Sequence, residues 1–479
     1  MKSKIFFVVP MMMHPRRWLL LTCIILLKSL CSVSCFGPLP TSSQASFDPV
    51  AWLKKNAIKV DSIDLYSTHT FTDLNPLKEI LDGVKIVFLG ENTHGDGAGD
   101  RFKARLISFL HEELNFDTLV WEIGLFDGFQ ADGRLQLVSD SGYGSIFKDC
   151  MQNFWSNIEE TKSIFEYLTE NIKSSSNPAG LELQGYDVLG TNISGAGEQL
   201  ISFLVSALPS DLVSSGYYDL LSNIINMEYF TDPTFHPHPN LPLPSIEVIN
   251  NFFITFNLTK IFLQNNSHDN DDDYNFWTQY YNNAYTVAVL SFETSKLPLS
   301  PNLVSVSMEN VRNKQMADNL IWWLQSGTSH RKIIVWTHNM HFARNLITVN
   351  NTIEMMSCAY TEPCLLHTAG EWVQNILGTD IVYLLGATAF SGSSGYAPYY
   401  PVFNISAPVD SLEAYLNQSD LNPAGILDFR QKHRAPLPTW FSEARTTLAF
   451  ENYTQFNANL WKNYDGVIFY TEQLPITPL

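Results

Sequence analysis

The chain has 479 residues, with 29 Lys and Arg against 48 Asp and Glu, a formal net charge of −19 at pH 7. That excess of acid repels phosphate backbones and no basic cluster offsets it, which excludes nucleic acid as a partner. Hydrophobic residues make up 45% of the sequence, so a large core is available and stability need not rest on the six cysteines.

In chain order, Arg16 and Arg17 precede an apolar run over residues 18–27, followed by Ser29, Ser32 and Ser34. Basic, apolar and small-residue regions in that order are expected of a secretory signal peptide. The run is shorter than the roughly 20 residues of a membrane span, and Lys28 follows it. The expectation is a leader over 1–35 and a secreted mature chain over 36–479, free of the membrane after cleavage. A retained anchor or a lipoprotein site at Cys35 is the weaker alternative. Acceptor sequons at Asn192, Asn257, Asn265, Asn350, Asn404, Asn417 and Asn452 agree with export and glycosylation. Cys358 and Cys364 bracket a short loop with Pro363 and could form a disulfide in an oxidising compartment, leaving Cys150 as an odd thiol.

Residues 50–58 read as a short helix. An apolar run over 84–90 leads into Gly90-Glu91-Asn92-Thr93-His94-Gly95, after which Phe102, Leu106, Ile107, Phe109, Leu110 and Leu114 recur at helical spacing. Strand-like runs at 116–123 and 181–188 flank a helical pattern at 158–168. Residues 198–292 read as mostly helical, an insertion or cap extending to about 305. Met308, Val311, Met316, Leu320, Trp323 and Leu324 mark another helix, and runs at 332–337 and 381–387 further strands. A late edge strand is expected at 466–470, and Gly392-Ser393-Ser394-Gly395 reads as a flexible loop. Strands alternating with amphipathic helices predict an α/β fold: a mostly parallel sheet flanked by helices, with a helical insertion or cap.

In such sheets ligands bind beyond the carboxyl ends of the strands. Three strands deliver polar residues there: Glu91 and His94, then Glu122, then His338 and His341. Histidine titrates near neutrality, so His94 could take a proton from water. Glu91 or Glu122 could hold its tautomer and stabilise its cation. His338 or His341 could hydrogen-bond charge developing on a carbonyl oxygen. No cofactor is required on that reading. His94, Glu122, His338 and His341 could equally hold a divalent metal with a nucleophilic water. Neither a G-x-S-x-G elbow nor a G-x-G-x-x-G turn occurs, and His338-Asn339-Met340-His341 lacks the Glu of H-E-x-x-H. His236 and His238, set among prolines, read as surface loop.

Gly90-Glu91-Asn92-Thr93-His94-Gly95, then Lys103-Ala104-Arg105, Trp121-Glu122, Gly185-Tyr186-Asp187, Arg312 with Met316-Ala317-Asp318-Asn319, and Val335-Trp336-Thr337-His338-Asn339-Met340-His341 resemble the erythromycin esterase family over residues 84–390. The resemblance implies an α/β fold with a deep cleft and hydrolysis of a small-molecule carboxylic ester or lactone. It places the base on His94 and its supporting groups on Glu91, Glu122, His338 and His341. It also places substrate contacts on Lys103, Asp187 and Arg312, although Lys103 could instead pair with an acid. Ala98 and Gly99 stand where members often carry an acidic–aromatic pair, and Asn313 where an aspartate is common. A non-catalytic protein that keeps the cleft for ligand binding is the alternative, as is a metal-dependent hydrolase or protease using the same residues.

Overall fold

The computed structural model describes residues 47–66, 70–137, 143–174, 177–188, 195–210, 212–225, 244–266, 271–294, 306–326, 331–349, 366–396, 400–430 and 436–479. The leader over 1–35, Asn192, His236, His238, Asn350 and the Cys358–Cys364 pairing lie outside them.

Nine strands form the main sheet: β1 (Ile58–Val60), β2 (Ile86–Leu89), β3 (Thr118–Gly124), β4 (Glu182–Asp187), β5 (Ile333–Trp336), β6 (Val382–Tyr396), β7 (Tyr400–Ser406), β8 (Ala424–Asp428) and β11 (Gly466–Gln473). Their order is β1-β8-β11-β6-β2-β5-β3-β4, with β7 on the far end of β6. The six strands from β11 to β4 pair in parallel, while β1, β8 and β7 join antiparallel. A separate antiparallel pair, β9 (Arg445–Thr447) and β10 (Phe456–Ala458), follows β8 in the chain. The α/β architecture expected from sequence is the one observed.

The central strands are buried along their whole length, as parallel strands covered on both faces must be. Their side chains alternate between two cores. Val87, Leu89, Trp121 and Trp336 face α1 (Gly97–Leu114), which contributes Phe102, Leu106 and Phe109. Ile86, Phe88, Val120 and Val335 face the other way. That second core takes Leu200, Leu221, Phe256 and Tyr281 from α2 (Ala196–Ala207), α3 (Ser215–Ile225), α4 (Ile246–Asn265) and α5 (Asp272–Thr294), and Leu320 from α6 (Val306–Ser326). Among the described residues α4 is the one helix long and apolar enough to cross a membrane, and its Phe252, Phe256 and Leu263 are packed into this core.

Two expectations are corrected. Residues 466–470 do not form an edge: β11 lies between β6 and β8, because the late antiparallel strands β8 and β1 extend the sheet beyond it. The segment 392–395 is not a loop but the far end of β6. Gly392 and Gly395 have φ of +113° and +137°. A Cβ on Gly392 would come within 2.0 Å of Gln473 O, so glycine here serves close strand approach rather than flexibility.

Candidate active site

Topology puts the site beyond the carboxyl ends of the central parallel strands, where β2 lies between β6 and β5 and β3 lies beyond β5. Leu89, Trp121 and Trp336 lie at corresponding levels of adjacent strands. Glu91, Glu122 and His338 therefore emerge together, one or two residues further on. Between Trp121 and Gly124, β3 slips register against β4. Such a bulge re-aims a side chain, and Glu122 sits within it.

The loop after β2 is held from behind. Asp96 precedes α1 but accepts hydrogen bonds backward, from Asn92 N (3.1 Å) and Thr93 N (3.3 Å), and from the hydroxyls of Tyr453 (2.9 Å) and Ser394 (2.8 Å). Its burial and the nearby Glu91 outweigh these donors and push the carboxyl up to about 6. Gly95 lies so close to Gly395 that a Cβ would approach its nitrogen to 2.5 Å. Asn339, between the two loop histidines, donates to the carbonyls of Ala387 (2.9 Å) and Ala449 (3.2 Å) and accepts from Ala387 N (3.1 Å). It ties the loop after β5 to β6.

Within this frame Glu91 Oε1 meets His94 Nδ1 at 2.6 Å. Its Oε2 accepts from Lys103 Nζ and from Trp336 Nε1 at 3.0 Å. Burial disfavours the Glu91 carboxylate, but Lys103 and His94 win and lower it to about 2. Lys103 lies 3.8 Å above the Trp336 ring and 3.4 Å from Asp100. The His94 ring stacks on Phe154 with centroids 4.7 Å apart and keeps 27% of its side chain exposed. Burial favours its neutral form, but Glu91, Glu122 and Glu451 outweigh it and raise His94 to about 9. Among the described residues no partner engages its Nε2.

The second pair is built differently. Glu122 Oε2 accepts from Thr337 Oγ1 (2.6 Å) and His338 N (2.7 Å), and Oε1 lies 3.2 Å from His341 Nε2. Asn313 Nδ2 donates to the His367 carbonyl, so its Oδ1 turns to His341 Nδ1 at 3.1 Å. An amide here accepts a bond without adding charge, which leaves Glu122 as the acid on His341. Burial opposes ionisation of both, yet their mutual attraction holds Glu122 well below and His341 above their ordinary values. His338 is committed elsewhere. Met340 N donates to its Nδ1 (3.2 Å), which assigns the proton to Nε2, and Nε2 donates to Asn92 O (2.7 Å).

These groups open on a cleft of about 760 Å³ lined by His94, Glu122, His338, His341, Glu309, Arg312 and Glu451, with Met340, Leu366, Pro401 and Phe403 as apolar walls. All five residues expected to converge are brought together. Of the expected substrate contacts, only Arg312 lines the cleft. Asp187 stands behind it, accepting from Arg312 Nε (3.0 Å) and Nη2 (2.5 Å). Lys103 is wholly enclosed, so it pairs with an acid rather than reaching a ligand. Both ring nitrogens of His338 and of His341 are engaged, and no three His, Cys, Asp or Glu among the described residues are grouped to hold an ion.

Sequence reasoning missed Asp96, Trp336, Asn313, Asn339, Glu309 and Glu451 as parts of the site. Trp336 and Asn339 lie inside the quoted motif, and Asp96 and Asn313 directly follow motif residues. Glu451 follows the β9 strand and carries no signal.

The sequence profile of the family described as Erythromycin esterase matches residues 111–473. The chain belongs to the erythromycin esterase family. It is 25% identical to YbfO of Bacillus subtilis (strain 168), provisionally named a hydrolase, over 431 residues covering 87% of this chain and 89% of the relative. It is 22% identical to the type II erythromycin esterase of Escherichia coli over 349 residues, 69% of this chain and 74% of that one. Two solved structures share the fold. A succinoglycan biosynthesis protein matches with TM-score 0.67 and 18% identity over 90% of this chain and 97% of its own. An erythromycin esterase mutant in its open conformation matches with TM-score 0.60 and 13% identity over 87% and 97%. The protein is thus an erythromycin esterase-like hydrolase with an α/β fold. Glu91 and His94 precede the stretch that the family profile matches.

Proposed function

We propose that this protein hydrolyses a carboxylic ester or lactone of a small molecule, with His94 as the base that activates water. One observation carries the reading: an imidazole whose Nδ1 is fixed on a buried carboxylate while Nε2 faces a cleft. Glu91 orients the ring and stabilises its cation, as the orienting acid does in other base-dependent hydrolases. Lys103 and Trp336 hold Glu91 in place. Water attacks the carbonyl carbon as Nε2 takes its proton. The ester C–O bond then breaks, and the proton returns to the departing alkoxide. The His341 imidazolium, both of whose N–H groups are held by Glu122 and Asn313, offers the developing oxyanion its positive charge rather than a hydrogen bond. His338 supports the loop through Asn92 rather than touching substrate.

Nothing in this scheme requires a metal or an organic cofactor. The test is turnover of an ester and lactone panel in water enriched in ¹⁸O, with enzyme in excess. A His94-dependent reaction that places the label in the acid during the first turnover supports the reading. Release of the alcohol ahead of the acid in that turnover would indicate a covalent acyl-enzyme and overturn it.

An exported, glycosylated form is proposed alongside. Asn257, Asn265, Asn404 and Asn452 are exposed and Asn417 half-buried, which is the placement glycosylation needs. Glycopeptide mapping of protein from its native source tests it, and bare asparagines at all five would sink it.

A further inference from the structure

A second cavity, of about 500 Å³, lies toward the amino end of β4 and shares no lining residue with the cleft. The helix Leu125–Leu135 crosses β4 at one point of close approach, where a Cβ on Gly128 would collide with Gly185 N. Past that crossing, the cavity is enclosed between this helix, β4, α5 and α6. Its walls are aromatic. Phe129 stacks on Phe276 with centroids 3.8 Å apart, and Trp322 and Trp323 stand beside them with centroids 4.4 Å apart. The charges on the wall are already engaged. Arg331 gives Nη2 to Glu182 (2.6 Å) and Nη1 to Trp323 O (3.1 Å), and Asp132 accepts from Leu183 N (2.8 Å) and Gln136 Nε2 (2.7 Å). Two neutral demands are left over. Gln184, only 5% exposed, has its Oε1 enclosed without a hydrogen bond among the described residues, and Arg331 Nε is an unpartnered donor on the same wall.

A buried amide without a partner costs stability, and methionine would fill the same space without that cost. A ligand that brings the missing partner removes the cost. The last torsion of glutamine is soft, so either amide atom can be turned to the cavity. A carboxamide presents a donor and an acceptor side by side, and another amide edge complements it with two hydrogen bonds. Flat rings suit walls built from Phe129, Phe276, Trp322 and Trp323, and apolar walls with one placed polar group are the usual make-up of a small-molecule site. A charged ligand would lose its hydration against ions that are already paired.

We propose that this cavity is a second ligand site, for an uncharged flat ring that carries a carboxamide or the same donor–acceptor edge, and that Gln184 recognises that edge. The proposal does not depend on the hydrolase reading. The probes are benzamide, acetophenone, benzoate and benzamidine, which share one shape and differ in the N–H donor and in charge. In ligand-observed NMR titrations benzamide is expected to bind roughly fivefold or more tightly than each of the other three. Gln184→Met should bring benzamide down to the level of acetophenone while acetophenone binding persists. The denaturation midpoint of that variant, free of ligand, should hold or rise. Trp322 is partly exposed, so Trp322→Leu should keep the fold and weaken benzamide and acetophenone together. Equal or absent binding of benzamide and acetophenone in the unmodified protein would overturn the proposal, as would a preference that survives Gln184→Met. Tighter binding of benzoate or benzamidine would overturn the uncharged class, and binding unmoved by Trp322→Leu would overturn the location. A lower midpoint in Gln184→Met would mean that the amide serves the fold, and would overturn its role in recognition.

Discussion

The loops after β2 and after β5 each deliver a histidine to one cleft, with ring centroids of His94 and His338 5.6 Å apart, yet the two side chains are built for opposite purposes. His94 has a buried carboxylate on one nitrogen and, among the described residues, no partner at the other. His338 has a backbone group on each, Met340 N and Asn92 O. Residue type and position at a strand end are the same, and the partners differ. A histidine with both nitrogens satisfied by backbone is a strut, and one with a single satisfied nitrogen can move a proton. The strut also acts on the mover, because Asn92, whose carbonyl it holds, adjoins Glu91 and lies two residues before His94.

The sharpest way to break this contrast is to remove each ring in turn. His94→Ala should lower kcat/KM by about 10²–10⁴-fold, the range for loss of a general base, with the melting temperature little changed. Steady-state kinetics beside a thermal melt check it, and comparable turnover without the ring would end the assignment. Next in size is Lys103→Met, which strands the Glu91 carboxylate in the core. Breaking a buried pair from one side costs about 3–5 kcal/mol, read as a lower denaturant midpoint. Since Lys103 does not touch the cleft, its loss should appear in stability first, and unchanged stability would mean that Glu91 is held by Trp336 and His94 alone.

Much of this could be read before the structure. The apolar runs ending in Glu91, Glu122 and His338 gave the parallel strands and the grouping of the site, since side chains one or two residues past paired strands must share a level. What stayed hidden depends on distant chain segments. Nothing local says that β8 and β1 cover β11, which is why residues 466–470 read as an edge. The role of Gly392 is set by Gln473, which approaches it from another strand. Lys103 looked available for a ligand because sequence does not show how deeply a helix turns its face into a sheet. Glu451 reaches the cleft from a turn 357 residues beyond His94, with no periodicity to betray it.

The pH response probes His94 alone, with a smaller effect. The base must be neutral, and His94 is raised to about 9, so activity should climb with pH. About 1% of the rings are neutral at pH 7 and about half at pH 9, which gives roughly a fifty-fold rise in kcat/KM. Stability runs the other way. A histidine raised in the folded state contributes fully below its unfolded value near 6.5, and that contribution is lost as pH rises through 9. Activity and melting temperature should therefore diverge over this interval. Glu451→Gln removes one of the carboxylates that raise His94, so the activity limb should move to lower pH, and a limb that stays in place would assign the titration to another group.

The smallest effect is expected from His338, where loss of the ring leaves Met340 N–H and the Asn92 carbonyl without their partner. Buried groups so orphaned cost about 1–3 kcal/mol each at most, and water entering from the cleft should recover part of that in His338→Ala. His338→Gln, whose side chain carries both a donor and an acceptor, should regain more of the stability while providing no titrating group. If His338 is a strut, catalysis should follow stability across the pair: weakened in His338→Ala and restored toward normal in His338→Gln, with the alkaline limb unmoved in both. If it instead took part in proton transfer, glutamine would restore the fold and not the rate. Chemical denaturation and kcat measured on the same two preparations distinguish these outcomes, because only a chemical role lets them part.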